Sequence, residues 1–451
     1  MSEPKTIAIV GAGPVGLAAA AHVLERGMKP IVLEAGDKIG HSVRKWGHVQ
    51  LFSPWEYSTD RAAERLLQPT GWNSPDPQQY PTGAELVERY LEPLATRTAL
   101  AAHIRTSSRV TDISRAGFDK LKSQGRESAP FEICYQNGRG PEVLRADAVI
   151  DVSGTWHSPN PAGANGLPAI GEKPAASRIA YSMPDVLGRD RARYAGKTVA
   201  VLGAGHSAIG TLIDLAQLAQ QEPNTRPLWL LRGNDPAKAF GGGANDRLIA
   251  RGALGAAFAR LVSEGRIGIE RQFRVSHIAL DGANLVIGAD DATRQVIVDE
   301  LIVATGFRPQ FDFLRELRIE VDPTVESPVP LAPLIDPNLH SCGTVRPHAA
   351  RELAQPEPGF YFAGMKSYGR APTFLMLTGY EQVRSIAAEL AGDAEAARRV
   401  ELTLPETGVC SGPAASQETG CCGGPAKVDA SACCVADESS KKAGASGCGC
   451  S

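Results

Sequence analysis

A short apolar run, a turn and a longer alanine-rich run open the chain. Residues 6–10 (TIAIV) predict a buried β-strand, and residues 17–26 follow with the apolar spacing of a helix. A second apolar strand at residues 30–33 then ends on the acidic Glu34. The order strand, helix, strand predicts a βαβ unit with parallel strands, which indicates an α/β fold.

The same pattern returns in the middle of the chain. Residues 197–202 predict a strand, residues 209–220 a helix, and residues 227–231 a second strand, which ends on Arg232 rather than on an acid. A repeated βαβ unit predicts two parallel sheets. The fold class that we expect is therefore α/β with two Rossmann-like domains.

The position of the second unit predicts how the domains are arranged. We expect residues 1–189 and 301–404 to form one split domain, with residues 190–300 inserted in it as a second domain. The apolar strand before Thr305 and Gly306 is expected to lead the chain back into the first domain.

The first turn has the glycine spacing of a dinucleotide-binding site. Gly11 permits a tight turn, Gly13 lets the backbone approach a pyrophosphate, and Gly16 allows close packing of the helix on the strand. The helix N-terminus favours the phosphate charge, and Glu34 stands where an acid accepts hydrogen bonds from a ribose diol. This combination predicts a dinucleotide with an unphosphorylated ribose, such as FAD.

The second turn predicts a different nucleotide. Gly203, Gly205 and Ser207 occupy the turn, and Arg232 ends the following strand. A carboxylate at that end would repel a 2′-phosphate, whereas an arginine pairs with it, so we expect NADPH here. The alternative for Arg232 is a solvated cation at a strand end.

Composition and charge exclude several other classes of function. The 451 residues carry a net charge of −3, and no basic cluster with interleaved aromatic residues suggests nucleic-acid binding. No apolar run is long enough to span a bilayer, and the first strand begins too early to follow a signal peptide. We therefore expect a cytoplasmic protein.

The positions of the cysteines bear on which group accepts the electrons that pass from NADPH to FAD. Residues 35–60 contain no cysteine, and none lies between Cys134 and Cys342. A disulfide reductase of this architecture needs a redox pair beside the flavin, so its mechanism is disfavoured. Reduced flavin without a dithiol acceptor can instead react with oxygen.

The end of the chain is rich in cysteine. From residue 405 to residue 451 glycine, alanine, serine and cysteine dominate without apolar periodicity, which predicts a disordered tail. Its thiolates are soft ligands that suit soft metals and metalloids. The predicted metal ligands are Cys421, Cys422, Cys433, Cys434, Cys448 and Cys450.

Residues 364–375 (GMKSYGRAPTFL), the paired glycine turns and the Ala-Thr-Gly crossing resemble the flavin-containing monooxygenases. The resemblance is strongest to the subgroup encoded in arsenic-resistance operons. It implies that NADPH reduces FAD, that oxygen forms a flavin C4a-hydroperoxide, and that a soft nucleophile takes the distal oxygen. The cofactor-binding residues that we expect are Gly11, Gly13, Gly16, Glu34, Gly203, Gly205, Ser207, Arg232, Thr305, Gly306, Gly364, Thr373 and Phe374.

Three residues are candidates for catalysis. Cys342 lies shortly before the 364–375 block and is either a substrate ligand or a buried loop cysteine. Lys366 and Arg370, inside the block, could stabilise charge on the flavin or the substrate. The alternative for both is an ordinary loop cation.

These observations predict an NADPH-dependent FAD monooxygenase that oxidises a trivalent, methylated arsenical to the pentavalent form. The tail would capture the metalloid, with a thiol relay or general sequestration of copper, mercury or zinc as alternatives. Two other functions remain open: N- or S-oxygenation or Baeyer-Villiger chemistry on an organic substrate, and metalloid binding with NADPH oxidase or reductase activity. The partners we expect are a small molecule and oxygen, without nucleic acid or membrane, and a homodimer stays open.

Overall fold

Strands of two to seven residues form the sheets of the fold, in a computed structural model that describes residues 3–241, 249–339, 348–372 and 374–402. In chain order the strands are β1 (Thr6–Val10), β2 (Lys29–Leu33), β3 (Ile104–Arg105), β4 (Arg109–Arg115), β5 (Phe131–Asn137), β6 (Gly140–Ala146), β7 (Ala148–Asp151), β8 (Ile179–Tyr181), β9 (Thr198–Leu202), β10 (Arg226–Leu230), β11 (Gly268–Glu270), β12 (Val275–Asp281), β13 (Asn284–Ala289), β14 (Gln295–Val298), β15 (Glu300–Val303) and β16 (Phe360–Phe362).

Helices connect these strands and cover the sheets. The α-helices are α1 (Pro14–Glu25), α2 (His41–Lys45), α3 (Arg61–Leu67), α4 (Gly83–Leu86), α5 (Glu92–Arg97), α6 (Arg191–Tyr194), α7 (His206–Gln221), α8 (Ile249–Ser263), α9 (Ala332–Ile335), α10 (Ala350–Leu353), α11 (Met376–Leu390) and α12 (Ala394–Arg398). Tighter turns occur at Trp55–Tyr57, Gln68–Thr70, Ala99–His103, Arg126–Ser128, Ala176–Arg178, Pro236–Ala239, Asp312–Leu314 and Gly364–Tyr368, and a π-helical turn at Val87–Leu91.

The first sheet has the order β16-β7-β1-β2-β3, with every neighbouring pair parallel. The side chains of Ile7, Ala8 and Ile9 in β1 are fully buried, as expected for a central strand covered on both faces. Strands β7 and β16 come from distant parts of the chain and complete the sheet on one side of β1. Segments before and after the strands of the second sheet therefore contribute to one sheet, while the bounds of the split domain stay a prediction.

The second sheet has the order β11-β10-β9-β15-β8 and is also parallel. Its strand order places the start of the second fold earlier in the chain than the predicted residue 190. Strand β8 pairs with β15, although the boundary expected at residue 189 assigned it to the first domain. The chain crosses into the second fold at about Pro159, which forms a bridge with Phe307 on the returning segment. A strand of three residues without a glycine turn gave no local sign that the crossing comes so early.

Two antiparallel three-stranded sheets are added to the parallel ones, β4-β5-β6 and β12-β13-β14. Beside the first of them a buried carboxylate is held by two buried arginines: Glu357 contacts Arg115 and Arg126, each at 2.8 Å. These charges come from segments more than 200 residues apart, so they connect the sheet to the last part of the fold. In the described residues no helix has the length and apolar character needed to cross a membrane.

Candidate active site

The first glycine turn is shaped by two close backbone approaches. Gly11 has a φ of +108°, and a Cβ there would lie 2.9 Å from the Val152 carbonyl oxygen. A Cβ on Gly16 would lie only 2.0 Å from the Gly11 carbonyl oxygen. Any larger residue at these two positions would push α1 away from β1 and β7.

Gly13 has a different environment, because a Cβ at this position would meet nothing within 4 Å. It is the N-cap of α1, and no side chain caps the helix. The first N–H groups of a helix have no partner within the helix and carry its positive partial charge. The open space and the uncapped helix end fit the diphosphate of a dinucleotide.

Glu34 is held in place at the end of β2. One carboxylate oxygen accepts a hydrogen bond from the Ala12 N–H at 2.8 Å, and the other accepts one from the Gly36 N–H at 2.7 Å. A carboxylate offers about four acceptor positions, so two remain for a ribose diol. Glu34 also lines the cavity described below, as its predicted role requires.

The second glycine turn repeats this construction. Gly203 has a φ of +136°, and a Cβ there would lie 2.3 Å from the Ala304 carbonyl oxygen. Gly205 is the N-cap of α7 and has no side-chain cap, and a Cβ added to it would meet no atom within 4 Å. The N-terminus of α7 is therefore open to an anion in the same way as that of α1.

Both turns open into one cavity of about 1150 Å³. Gly11, Gly13 and Gly16 line it on one side, and Gly205 and Ser207 line it on the other. The two turns therefore face a single space, in which the nicotinamide and flavin rings of two bound dinucleotides would meet. The described residues of the predicted site that line this cavity are Gly11, Gly13, Gly16, Glu34, Gly205, Ser207, Gly364 and Phe374.

Apolar and aromatic side chains form much of the cavity wall. Trp46, Met365 and Phe374 lie along it, and Phe374 packs edge-on against Tyr368, with ring centres 5.1 Å apart. The ring of Phe52 meets the imidazole of His206 at 5.1 Å, so the aromatic loop of the first fold contacts the second glycine turn. Such walls suit a planar ring system and exclude water from it.

Thr305 and Gly306 lie in the crossing between the two folds and not in the cavity wall. The Thr305 hydroxyl donates to the Asn160 carbonyl oxygen at 3.1 Å, and the Asn160 amide donates to the Thr305 carbonyl oxygen at 3.0 Å. Beside them Phe307 stacks on Trp156 with ring centres 5.0 Å apart. The structure thus gives these two residues contacts that join the outgoing and returning segments; direct cofactor binding by them stays a prediction.

The other predicted residues in the described part of the chain lie outside the cavity wall. Lys366 is fully buried, and its Nζ lies 2.8 Å from Asp151 Oδ2. The Arg370 side chain is 40% exposed, and its Nη1 lies 3.9 Å from Glu326 Oε1. Arg232 is exposed just past the end of β10, and Gly203 supports the turn from behind, where its carbonyl oxygen accepts a bond from Trp229.

Several predictions fall on residues outside the described ranges. These are Cys342, Thr373, Cys421, Cys422, Cys433, Cys434, Cys448 and Cys450. In the described part of the chain the cysteine is Cys134, which lies on β5 and not in the cavity wall. No group of three or more metal-binding side chains occurs among the described residues.

The cavity also contains a carboxyl group that the motifs did not indicate. Asp214 lies two turns into α7 and shares its cavity face with Ser207, Gly210 and Thr211, at helical spacing. Burial and the nearby Asp185 carboxylate raise the pKa of Asp214 to about 6. In a helix that begins at the second glycine turn, residues three, four and seven positions after Ser207 share its face, and position 214 is one of them. This helical spacing is the signal in the sequence that indicates Asp214.

Two imidazoles lining the cavity were also missed, because they stand in loops without a motif. Burial is the main cause that lowers the pKa of His48, against the opposing charge of Asp185. Burial and the positive charge of Arg109 lower the pKa of His157. Both rings are therefore favoured in their neutral form near pH 7.

Two glycine turns with open helix N-termini face one cavity, which is the arrangement expected of a protein with two dinucleotide-binding folds. The chain belongs to the pyridine nucleotide-disulphide oxidoreductase family, whose model matches residues 8–330. The predicted fold class is confirmed by this assignment, and the expected cofactors FAD and NADPH are confirmed by the family together with the flavin-dependent relatives.

Individual relatives match about half of this chain or less, at low sequence identity. Rice indole-3-pyruvate monooxygenase YUCCA1 (Oryza sativa subsp. japonica) is 27% identical over 46% of this chain and 44% of its own length. Flavin-containing monooxygenase 1 of Homo sapiens is 26% identical over 48% of this chain and 39% of its own length. The chain thus spans less than half the length of the curated relatives it matches.

Solved structures support the fold over most of the chain. Bacillithiol disulfide reductase Bdr from Bacillus cereus has a TM-score of 0.63 at 18% identity, covering 86% of this chain and 99% of that one. Flavin-containing monooxygenase from Stenotrophomonas maltophilia has a TM-score of 0.53 at 19% identity, covering 87% and 99%. One fold therefore accommodates both reductases and monooxygenases, and the chemistry depends on the site.

Gly13→Ala and Gly16→Ala provide a matched test of the first turn. The Cβ of Gly13→Ala has free space, so this variant should fold normally and bind FAD at least about tenfold more weakly, because the methyl group takes space needed by the diphosphate. Gly16→Ala should instead lower the free energy of unfolding by about 1–3 kcal/mol. Urea unfolding and fluorescence titration of FAD measure both effects. Unchanged FAD affinity in Gly13→Ala would contradict the assignment of the turn.

Asp214→Asn tests the buried carboxyl group. A carboxyl pKa raised in the folded state favours folding at low pH and loses that contribution as the pH rises through about 6. The variant should therefore be more stable than the wild type, by an amount that grows from about pH 4 and reaches up to about 3 kcal/mol above pH 7.

Urea unfolding at several pH values gives the measurement, with Asp291→Asn as the control. Arg294 and two backbone N–H groups lower the pKa of Asp291 to about 2, so that variant should lose stability at neutral pH and gain none. An Asp214→Asn variant that is no more stable than the wild type at pH 8 would rule out the buried, destabilised carboxylate.

Proposed function

We propose that the protein is an NADPH-dependent FAD monooxygenase whose substrate is a trivalent, methylated arsenical. The observation that carries the oxygenation is the single cavity shared by both glycine turns, whose lining contains no cysteine among the described residues. Electrons passed from NADPH to FAD in such a cavity have oxygen as an available acceptor. The curated relatives named as monooxygenases support the same conclusion.

The chain's own residues have defined tasks in this proposal. The N-termini of α1 and α7 bind the two diphosphates, and Glu34 orients the adenosine ribose of FAD. The walls formed by Trp46, Met365 and Phe374 exclude water around the rings. Reduced FAD held by these residues would activate molecular oxygen, from which one atom passes to the substrate and the other leaves as water.

The arsenical is proposed from the chemistry of the tail, residues 405–451. Trivalent arsenic is soft, prefers thiolates and carries a lone pair that can accept an oxygen atom. The six predicted ligands of the tail form pairs that suit capture of such a substrate, although a thiol relay or general metal sequestration would use the same residues. A cytoplasmic location and a homodimer remain predictions.

Oxygen uptake distinguishes this function from its alternatives. For each arsenical oxidised, one NADPH and one O₂ should be consumed and one water formed, with little hydrogen peroxide. An oxygen electrode, NADPH absorbance and peroxide detection, run with trivalent methylarsenicals and with organic sulfides and amines, measure the balance. If sulfides or amines are turned over and arsenicals are not, an organic compound replaces the arsenical as the proposed substrate. Uncoupled peroxide formation with every substrate would exclude a monooxygenase.

Removal of residues 405–451 tests delivery by the tail. We expect the apparent KM for a trivalent arsenical to rise several-fold with kcat unchanged, because the catalytic cavity lies in the rest of the chain. The matched control is the full-length chain with its six tail ligands replaced by serine, which should behave like the deletion. An unchanged KM in both variants would exclude capture by the tail.

Arg232→Ser tests the choice of NADPH. The variant should raise the KM for NADPH about tenfold and leave that for NADH nearly unchanged, because the arginine would pair only with the 2′-phosphate. Arg226→Ser, at the opposite end of β10, is the matched control and should change neither value. Equal loss with both nucleotides, or no loss, would make Arg232 a solvated cation only.

A further inference from the structure

A fully buried ammonium group lies behind the cavity wall. Three oxygen atoms lie close to the Nζ of Lys366: Asp151 Oδ2 at 2.8 Å, the Gln310 carbonyl oxygen at 2.6 Å and Ser153 Oγ at 3.1 Å. The Gln310 and Ser153 oxygen atoms accept hydrogen bonds from the ammonium group, and the Asp151 carboxylate is its ion-pair partner. The faces of Phe311, Phe313 and Phe362 surround the charge, with centres 4.6–5.6 Å from Nζ.

This arrangement restricts the hydroxyl group of Ser153. An ammonium group donates hydrogen bonds and accepts none, so the Ser153 oxygen accepts from Lys366 and its own hydrogen must point elsewhere. The backbone of Ser153 is fixed as well, because its N–H donates to Asp151 Oδ1 at 3.0 Å. No acceptor for the Ser153 hydroxyl hydrogen occurs among the residues that the structure describes.

Ser153 faces the cavity beside the first glycine turn. It is only partly buried and belongs to the cavity lining, whereas Lys366 and Asp151 do not. Its Cα would lie 3.3 Å from a Cβ placed on Gly11. Gly364, two residues before Lys366, approaches Val15 in the first turn of α1. The hydroxyl therefore belongs to the cavity wall next to the first glycine turn and the N-terminus of α1.

We propose that Ser153 donates a hydrogen bond to an oxygen atom of the diphosphate–ribityl part of bound FAD, and that Lys366 and Asp151 are positioning residues which set the direction of this donor. The proposal depends on FAD at the first turn and not on the proposed oxygenation. It would hold equally if the reduced flavin served another acceptor.

The burial of the ion pair is consistent with a positioning role. Burial lowers the pKa of Lys366, and the charge of Asp151 opposes this effect. A buried ion pair contributes little net stability compared with apolar residues of the same size, because both ions lose their hydration. The pair does, however, connect three segments: the end of β7, the crossing segment at Gln310 and the block after β16.

The first test replaces Ser153 alone. FAD is titrated into apoprotein, and its fluorescence quenching gives the dissociation constant. Ser153→Ala should weaken FAD binding about five- to tenfold, as expected for one lost hydrogen bond, and Ser153→Thr should restore most of it because threonine keeps the hydroxyl. Ser385→Ala is the control: its hydroxyl is buried and bonded to the Ala397 carbonyl oxygen outside the cavity lining, so FAD affinity should not change.

The second test asks whether Lys366 acts through Ser153. Asp151→Asn combined with Lys366→Met removes both charges and leaves no uncompensated ion in the core. This double variant should weaken FAD binding as much as Ser153→Ala does, and the triple variant should show no further loss. Additive losses would overturn the positioning role. If Ser153→Ala binds FAD as tightly as the wild type does, the whole proposal is overturned. This outcome decides the matter even if the double variant fails to fold.

Discussion

The N-terminus of α1 can open into the cavity only because the backbone around it is packed without intervening side chains. The Gly16 backbone lies against the Gly11 carbonyl group, and Gly11 itself takes a positive φ beside the Val152 carbonyl. This close approach brings the helix onto β1 and β7 and directs its free N–H groups outwards. The second turn meets the same restriction at Gly203, against the Ala304 carbonyl.

The shared cavity follows from how these two turns are held opposite one another. The chain crosses between the folds twice, and the Asn160–Thr305 hydrogen bonds join the two crossings. The contact of Phe52 with His206 adds a second connection on the cavity side. Electron transfer requires two rings at close range, so the crossing contacts matter to the proposed reaction although they do not touch a nucleotide.

The sequence predicted those parts of the site that depend on local pattern. Strand β1, its glycine turn and Glu34 lie within 30 residues of one another, and each has a signature that sterics and charge explain. The start of α1 at Pro14 was placed three residues late, since proline is favoured in the first turn of a helix and was assigned to the loop. The last long helix begins at Met376, so Phe374 lies in the segment before it.

Features that depend on distant segments were not predictable in the same way. The short strand β8 is defined by its pairing with β15, more than 100 residues later. Lys366 carries no local sign of burial, because its surroundings are brought together from residues near 151, 310 and 362. Asp214 has the spacing of a cavity-facing residue, but its raised pKa depends on burial by the completed fold.

Reduction of the bound flavin by NADPH without oxygen tests the central claim most directly, because it requires both nucleotides to meet in one cavity and needs no thiol. The measurement is rapid-mixing absorbance of the flavin in protein whose cysteines have been alkylated. The account predicts complete reduction at the same rate before and after alkylation. A flavin that stays oxidised with NADPH, or one whose reduction is abolished by alkylation, would contradict it.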